Sequence, residues 1–169
     1  LKTVANGEVN VADRTLDDQF WIVAYTMDDG PVRYYKYDRS LQEAEFLFSN
    51  RDALDDLPLS NMHSVVISAR DGLNLVSYYS LPVWSYDVGA NDPHPTPHTP
   101  LPMILLVHGG PWGRDSWGYD SLHQLFTNRG YVVLSVNFRA STGFGKAFLN
   151  AGNLEWGKKM HDDLLDAVN

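Results

Sequence analysis

From residue 103 onward the sequence alternates between short apolar runs and segments with helical spacing. Met103 to Val107 (MILLV) is a continuous apolar run, which is typical of a parallel strand covered on both faces. Leu122, Leu125 and Phe126 then repeat at the spacing of a helix. Tyr131 to Phe138 (YVVLSVNF) is a second buried strand. This alternation predicts an α/β fold with a parallel sheet and a right-handed crossover.

Two further signals mark where the helices of this region stop and start. Arg129-Gly130 is a helix stop, and Asn153 is a candidate N-cap for a closing helix. The residues that would line one face of the closing helix are Leu154, Met160, Leu164, Leu165 and Val168.

The N-terminal part has the pattern of an antiparallel meander. Three strands are expected, at Phe20 to Met27, Val32 to Asp38 and Glu43 to Ser49, with a turn at Asp28 to Pro31. Such strands resemble one blade of a β-propeller, and a free-standing meander has the same pattern. Because a single blade cannot bury both of its faces, we interpret residues 1–60 as the last part of a propeller.

A hairpin and a proline-rich loop connect the two regions. Val65 to Ala69 and Leu73 to Ser80 are predicted to pair through a turn at Asp71-Gly72. Five of the nine prolines fall in the loop at residues 87–102, which predicts a stiff, extended connector. Residues 61–169 therefore form the second predicted domain.

The motif richest in chemical information is His108-Gly109-Gly110-Pro111-Trp112, directly after the first parallel strand. Two glycines at the carboxyl end of a strand allow a sharp turn that brings backbone N–H groups close to a ligand. In α/β-hydrolases, an N–H of this loop forms half of the oxyanion hole. A plain glycine turn is the alternative, and the flanking strand, histidine, proline and tryptophan favour the oxyanion loop.

The HGGPW motif, together with NFRASTGFG at Asn137 to Gly145, resembles the prolyl oligopeptidase family of serine peptidases, closest to its acylaminoacyl-peptidase and dipeptidyl-peptidase-like branch. EWGKKMHDDLLDAVN at Glu155 to Asn169 resembles the helix before the nucleophile strand, and Ala69 to Gly72 the entry into the hydrolase domain. The resemblance spans Val65 to Asn169.

The resemblance implies the N-terminal half of an α/β-hydrolase sheet, preceded by a propeller that gates access to a Ser-Asp-His triad. It implies oxyanion donors at Gly110 and Gly109, and a possible substrate cleft at His108 and Trp112. No catalytic residue is expected in this chain, because the family's nucleophile, acid and base would lie downstream. Two departures are His108, where some members have tyrosine, and Ala140, where glycine is usual. A positive φ at Ala140 would strain the loop.

Other candidate sites lack part of what their chemistry requires. Ser141 has the serine and following glycine of a nucleophile elbow, but Arg139 replaces the first glycine. His161 and Asp163 belong to a His-Asp-Asp run whose adjacent helical residues point apart, so they cannot act as a base and its orienting acid.

Two possible binding sites are also incomplete. Ala140 to Ala147 nearly matches a phosphate loop, but it lacks the first glycine and the terminal hydroxyl of that motif. His94 and His98 have no third ligand at a helpful spacing, so no metal is expected.

Composition narrows the possible partners. The net charge of −8, with scattered basic residues, argues against nucleic acid, and no apolar run is long enough to span a bilayer. The absence of cysteine excludes disulfides and a cysteine nucleophile, but fits both a cytoplasmic and a periplasmic or secreted enzyme. No cofactor is expected.

These patterns together predict part of a serine peptidase that hydrolyses short peptides, with aminoacyl or acylaminoacyl bonds, through an acyl-enzyme. A carboxylesterase or lipase of the same fold is an alternative, as is a binding module without a triad. If the α/β-hydrolase strand order applies, the two hairpin strands are followed by Tyr131 to Phe138 and then by Met103 to Val107 at the edge. That exposed, uncharged strand predicts a homo-oligomer joined through it.

Overall fold

A computed structural model describes residue 1, residues 3–87 and residues 92–169. Residues 88–91 of the predicted proline-rich loop lie outside the described residues. The chain divides into two compact units, one of residues 1–59 with 118–121 and the other of residues 60–117 with 122–169. Within the described part of the chain, no helix is long and apolar enough to cross a membrane.

The first unit is a four-stranded antiparallel sheet in sequential order. Its strands are β1 (Glu8–Arg14), β2 (Phe20–Thr26), β3 (Arg33–Asp38) and β4 (Glu43–Ser49). Strands β2 to β4 were expected from the sequence, whereas β1 was not. All seven residues of β1 are exposed, although Glu8 to Val11 (EVNV) alternates polar and apolar residues as strands do.

Aromatic side chains link neighbouring strands across this sheet. Tyr25 lies edge-on to Tyr35, with ring centroids 5.3 Å apart, and Tyr35 in turn lies 5.4 Å from Phe46. Tyr34 and Phe48 stack at 4.8 Å. These cross-strand pairs stabilise a sheet whose fully buried centre is the segment from Val23 to Tyr25 of β2.

The second sheet is mixed and carries the predicted α/β pattern. Its strands are β5 (Met62–Ser68), β6 (Asn74–Ser80), β7 (Met103–Leu106) and β8 (Val132–Val136), in the order β5-β6-β8-β7. Strand β7 pairs parallel with β8, and the other neighbours are antiparallel. This is the strand order that was expected if the α/β-hydrolase order applies. Three helices accompany the sheet: α1 (Ser121–Thr127), α2 (Lys146–Asn150) and α3 (Lys159–Val168).

Strand β7 lies at the edge of this sheet, and its residues are exposed or only half-buried. Met103 retains 42% of its accessible surface, although its neighbours in sequence are apolar. Association of two copies through this strand stays a prediction.

Helix α1 is present where predicted, but its buried residues are polar. His123 and Thr127 face inward, whereas Leu122 and Leu125 are about 40% exposed. The His123 ring lies between the hydroxyls of Ser80 and Ser135, with Nδ1 3.0 Å from the first and Nε2 2.9 Å from the second. Hydrogen bonds of this kind offset the cost of burying the imidazole.

The predicted start of the closing helix is wrong. Helix α3 begins at Lys159, and the proposed cap Asn153 precedes two residues with left-handed backbone, Leu154 (φ 63°) and Gly157 (φ 66°). Leu154 is 92% exposed, and Leu165 and Val168 are also exposed. The buried residues of α3 are Met160 and Asp163, because Asp163 is required as the counter-ion of an internal arginine.

That arginine is Arg139, which follows β8 and is almost fully buried. Its Nε and Nη2 donate to the two carboxylate oxygens of Asp163 at 2.8 and 2.6 Å, and its backbone N–H also donates to Asp163 at 2.9 Å. Nη1 and Nη2 donate to Asp71, in the β5–β6 turn, at 2.9 and 3.0 Å. One guanidinium therefore joins the hairpin turn, the end of β8 and helix α3.

We expect Asp163→Asn to lower the free energy of unfolding of this chain by about 3 kcal/mol or more, since it leaves a buried guanidinium without its closest counter-ion. Asp71→Asn is the matched control: its carboxylate is partly exposed, so the loss should be about 1 kcal/mol or less. Urea unfolding followed by circular dichroism measures both. Equal losses would show that burial does not set the strength of these pairs.

Asp71 also predicts a dependence of stability on pH. The hydrogen bonds from Arg139 lower the pKa of its carboxyl to about 2, from an ordinary value of 3.8. Because the folded state binds this proton less readily, the stabilising contribution is complete above the unfolded pKa and is lost as pH falls towards 2. Urea titrations between pH 5 and pH 2 should show a shallower decline in unfolding free energy for Asp71→Asn than for the wild type. Parallel declines would contradict the assignment.

Candidate active site

The loop after β7 holds Gly110 in a conformation that requires glycine. Gly110 has φ 134°, and a Cβ at this position would lie 2.5 Å from the backbone nitrogen of Trp112 and 2.7 Å from that of Gly113. The Gly110-Pro111 peptide bond is cis. At Gly109, by contrast, a Cβ would meet nothing within 4 Å. The two predicted oxyanion glycines therefore differ, and only Gly110 is fixed by its backbone.

Backbone donors in this loop are not used inside the chain. Within the described residues, the N–H groups of Gly109, Gly110 and Trp112 donate to no acceptor. Unpaired N–H groups clustered after the carboxyl end of a strand are the donors that an oxyanion or another anionic oxygen can accept from.

His108 is held against the end of β8 by its ring. The imidazole stacks on Phe138 with centroids 4.6 Å apart and planes 16° from parallel. Its Nε2 lies 2.8 Å from Oγ of Ser141, and its Nδ1 lies 3.0 Å from the carbonyl oxygen of Gly109. The side chain of His108 therefore fixes the start of the loop.

Ser141 and His108 have the spacing of a nucleophile and its base, but their surroundings exclude that role. Ser141 has no exposed surface, and its hydroxyl donates to the carbonyl oxygen of Phe138 at 2.7 Å. A substrate carbonyl therefore cannot approach Oγ. The sequence did not indicate this His108–Ser141 pairing, because the two residues belong to loops that only the sheet brings together.

A cleft of about 300 Å³ opens beside the loop. It is lined by Gly110, Pro111, Phe138, Trp156, Gly157, Met160, His161 and Leu164. Of the four predicted site residues only Gly110 is among these, and Trp112, 66% exposed, lies outside this lining. Trp156 and His161 were not predicted as cleft residues. Gly157, whose backbone is left-handed (φ 66°), lies between them in the chain and directly follows Trp156.

The loops after β7 and β8 are joined by backbone and side-chain hydrogen bonds. The N–H of Thr142 donates to the carbonyl of Gly113 at 2.9 Å. The Asn137 amide accepts from the N–H of Asp115 at 2.9 Å and donates to its carbonyl at 3.2 Å. These contacts couple the loop after β7 to the segment that follows β8.

The segment from Ala140 to Ala147 does not form a phosphate loop. Its N–H groups at Ala140, Ser141 and Thr142 already donate to carbonyls of Phe148, Phe138 and Gly113. Ala140 has φ 76°, the positive angle that the usual glycine would tolerate without strain. Ala140 is therefore strained in this backbone conformation.

The remaining candidates have other partners. Asp163 is bound by Arg139, so it cannot orient His161. His98 lies 3.6 Å from Asp87, and within the described residues no group of three or more His, Asp or Glu side chains is placed to hold a metal.

Comparison with known proteins finds sequences similar to this chain. A model of the prolyl oligopeptidase family matches residues 117–169. Dipeptidyl aminopeptidase BIII of Pseudoxanthomonas mexicana is 53% identical over 99% of this chain and 24% of its own length. Dipeptidyl peptidase family member 6 of Caenorhabditis elegans is 42% identical over 96% of this chain and 23% of its own.

Solved structures show the same fold. The acylaminoacyl peptidase of Pyrococcus horikoshii superposes with a TM-score of 0.68 over 97% of this chain and 24% of its own, at 23% identity. The chain thus spans about a quarter of the length of the relatives it matches. Over residues 117–169 this chain is therefore similar to the prolyl oligopeptidase family, and over nearly all of its length it is similar to parts of two dipeptidyl peptidases.

Proposed function

We propose that this chain is part of a serine peptidase that hydrolyses short peptides through an acyl-enzyme, and that its loop at residues 108–112 supplies an oxyanion donor. The observation that carries this proposal is the N–H of Gly110, which has no acceptor in the described chain and lies at a cleft. A donor held in place before reaction stabilises the charge that develops on the scissile carbonyl oxygen.

The nucleophile, its base and the orienting carboxylate are proposed to lie in a part of the protein beyond this chain. Three Ser–His pairs lie at hydrogen-bond distance: His108 with Ser141, and His123 with Ser80 and with Ser135. The serines of all three pairs are buried. A peptide cannot reach any of them.

The relatives and the first unit support short peptides as the substrate class. Two relatives are named as dipeptidyl peptidases, which supports release of dipeptides from short peptides. The sequential four-stranded sheet has the topology of a propeller blade, and the mixed sheet that of the start of an α/β-hydrolase sheet. A propeller beside the active site would admit short peptides and exclude folded proteins.

Gly110→Ala should lower kcat of the full-length protein on an uncharged dipeptidyl arylamide by about 10²–10³-fold, the usual loss for one oxyanion donor. The reason is displacement: the new Cβ collides with the backbone at Trp112, so the N–H moves away from the oxyanion. KM should change much less, because the interaction strengthens only in the transition state.

Gly109→Ala is the matched control for that variant, since its Cβ enters open space and its N–H is retained. It should keep kcat within about twofold of the wild type. If Gly110→Ala, folded to the same melting temperature, also kept the wild-type kcat, the donor would lie elsewhere in the loop.

Ser141→Ala should retain kcat of the full-length protein within about tenfold and leave labelling by a fluorophosphonate probe intact, because Ser141 only buttresses His108. Loss of a true serine nucleophile would instead lower kcat by about 10⁴–10⁶-fold and abolish labelling. Peptide mapping of the labelled wild type identifies the nucleophile directly. Probe found on Ser141 would overturn the proposed division of roles.

A further inference from the structure

Arg114 carries a guanidinium that is supported on one face by an aromatic ring. Its Cζ lies 4.7 Å from the centroid of Phe144, and the side chain is exposed. A Cβ built on Gly143 would collide with the same guanidinium, so the glycine leaves the space that the group occupies. The backbone beneath is fixed by the hydrogen bond from Thr142 to Gly113. The guanidinium is therefore held in place before any ligand binds.

This guanidinium has no carboxylate partner in the described part of the chain. The contrast is with the arginines that do form ion pairs with aspartate, namely Arg14, Arg33, Arg39, Arg70 and Arg139. In a chain with a net charge of −8 and 21 acidic residues, acids are abundant. A stacked arginine left without one is available to bind an external anion.

The sequence separation of Arg114 and Gly110 limits the distance between their backbones. Arg114 follows Gly110 by four residues, and each residue spans at most about 3.5 Å, so the two Cα atoms are at most about 14 Å apart. An extended peptide advances about 3.3 Å per residue, so about four of its residues span that greatest distance. A carboxylate bound by Arg114 would therefore belong to a substrate residue several positions from the carbonyl that Gly110 would bind.

We infer that Arg114 binds a carboxylate of the peptide substrate and so favours substrates with a negative charge a few residues from the scissile bond; this rests on the proposed function. Stacking on Phe144 occupies one face of the guanidinium and leaves its edge free, and that edge matches the two oxygens of a carboxylate. The carboxylate is either the free C-terminus of a short peptide or an acidic side chain.

The test measures kcat and KM of the full-length protein on matched peptides. One pair differs only in a free or an amidated C-terminus, a second pair carries Glu or Gln in the leaving segment, and a dipeptidyl arylamide has no charge there. Arg114→Ala should raise KM about tenfold for the peptides with a carboxylate, with kcat unchanged, and alter the arylamide less than twofold. The pair that responds identifies the source of the carboxylate.

Two variants serve as controls. Arg51→Ala removes another exposed arginine stacked on an aromatic ring, at 5.5 Å from Tyr119, and should leave every substrate unchanged. Phe144→Leu keeps the charge but removes its support, and should raise KM for the carboxylate peptides about threefold. It also replaces Arg114→Ala should that variant fail to fold.

Equal effects of Arg114→Ala on charged and uncharged substrates, or no effect on either, would overturn the inference. If the wild type hydrolyses none of these substrates, the proposed function fails separately. Isothermal titration with the free and amidated peptides then decides the inference by itself: preference for the carboxylate, lost in Arg114→Ala, supports it, and equal binding rejects it.

Discussion

The buried guanidinium of Arg139 is the contact on which the arrangement of the second unit depends. It binds Asp163 of α3 through two parallel hydrogen bonds and Asp71 of the hairpin turn through two more, so three segments distant in sequence meet at one group. Burying a guanidinium is costly unless every donor is satisfied, and that requirement leaves little freedom in where α3 can lie. The surface pair of Arg70 and Asp166 reinforces the same junction but, being exposed, contributes less.

The residues on either side of Arg139 also hold the loop after β7 in place. Phe138 supports the ring of His108, and Ser141 hydrogen-bonds to the same ring. Thr142 binds the carbonyl of Gly113 beyond the glycines. The loop that would polarise a substrate carbonyl is thus positioned by a segment that contributes no catalytic group itself. Preorganisation of this kind is what makes a backbone N–H effective in catalysis.

Strain and buried polar groups concentrate in the same region. Ala140 and Gly110 both have positive φ angles, while Asn137, Ser141 and Asp163 have no exposed surface. A non-glycine residue keeps a positive φ angle only where several surrounding contacts hold it there. Here two hydrogen bonds hold the backbone: the N–H of Ala140 donates to the carbonyl of Phe148, and the N–H of Arg139 donates to the carboxylate of Asp163. The polar network specifies one loop conformation, and the apolar residues of β6 and β8 supply the burial that stabilises it.

Local sequence was sufficient for most strands and for the glycine loop, because apolar runs and turn glycines act over a few neighbouring residues. The order of the mixed sheet was expected from the resemblance to α/β-hydrolases and not from local sequence. Gly72 and Gly130 do have the positive φ angles that their turns require. Sequence patterns failed for β1, for the inward face of α1 and for the start of α3. For the two helices the outcome depends on partners in other elements: the hydroxyls of Ser80 and Ser135 for His123, and Arg139 for Asp163. Strand β1 pairs with the next strand, β2, and buries none of its own residues. The same holds for the site, where the motif identified Gly110, but the pairing of His108 with Ser141 and the cleft beside Trp156 arise only when the sheet brings separate loops together.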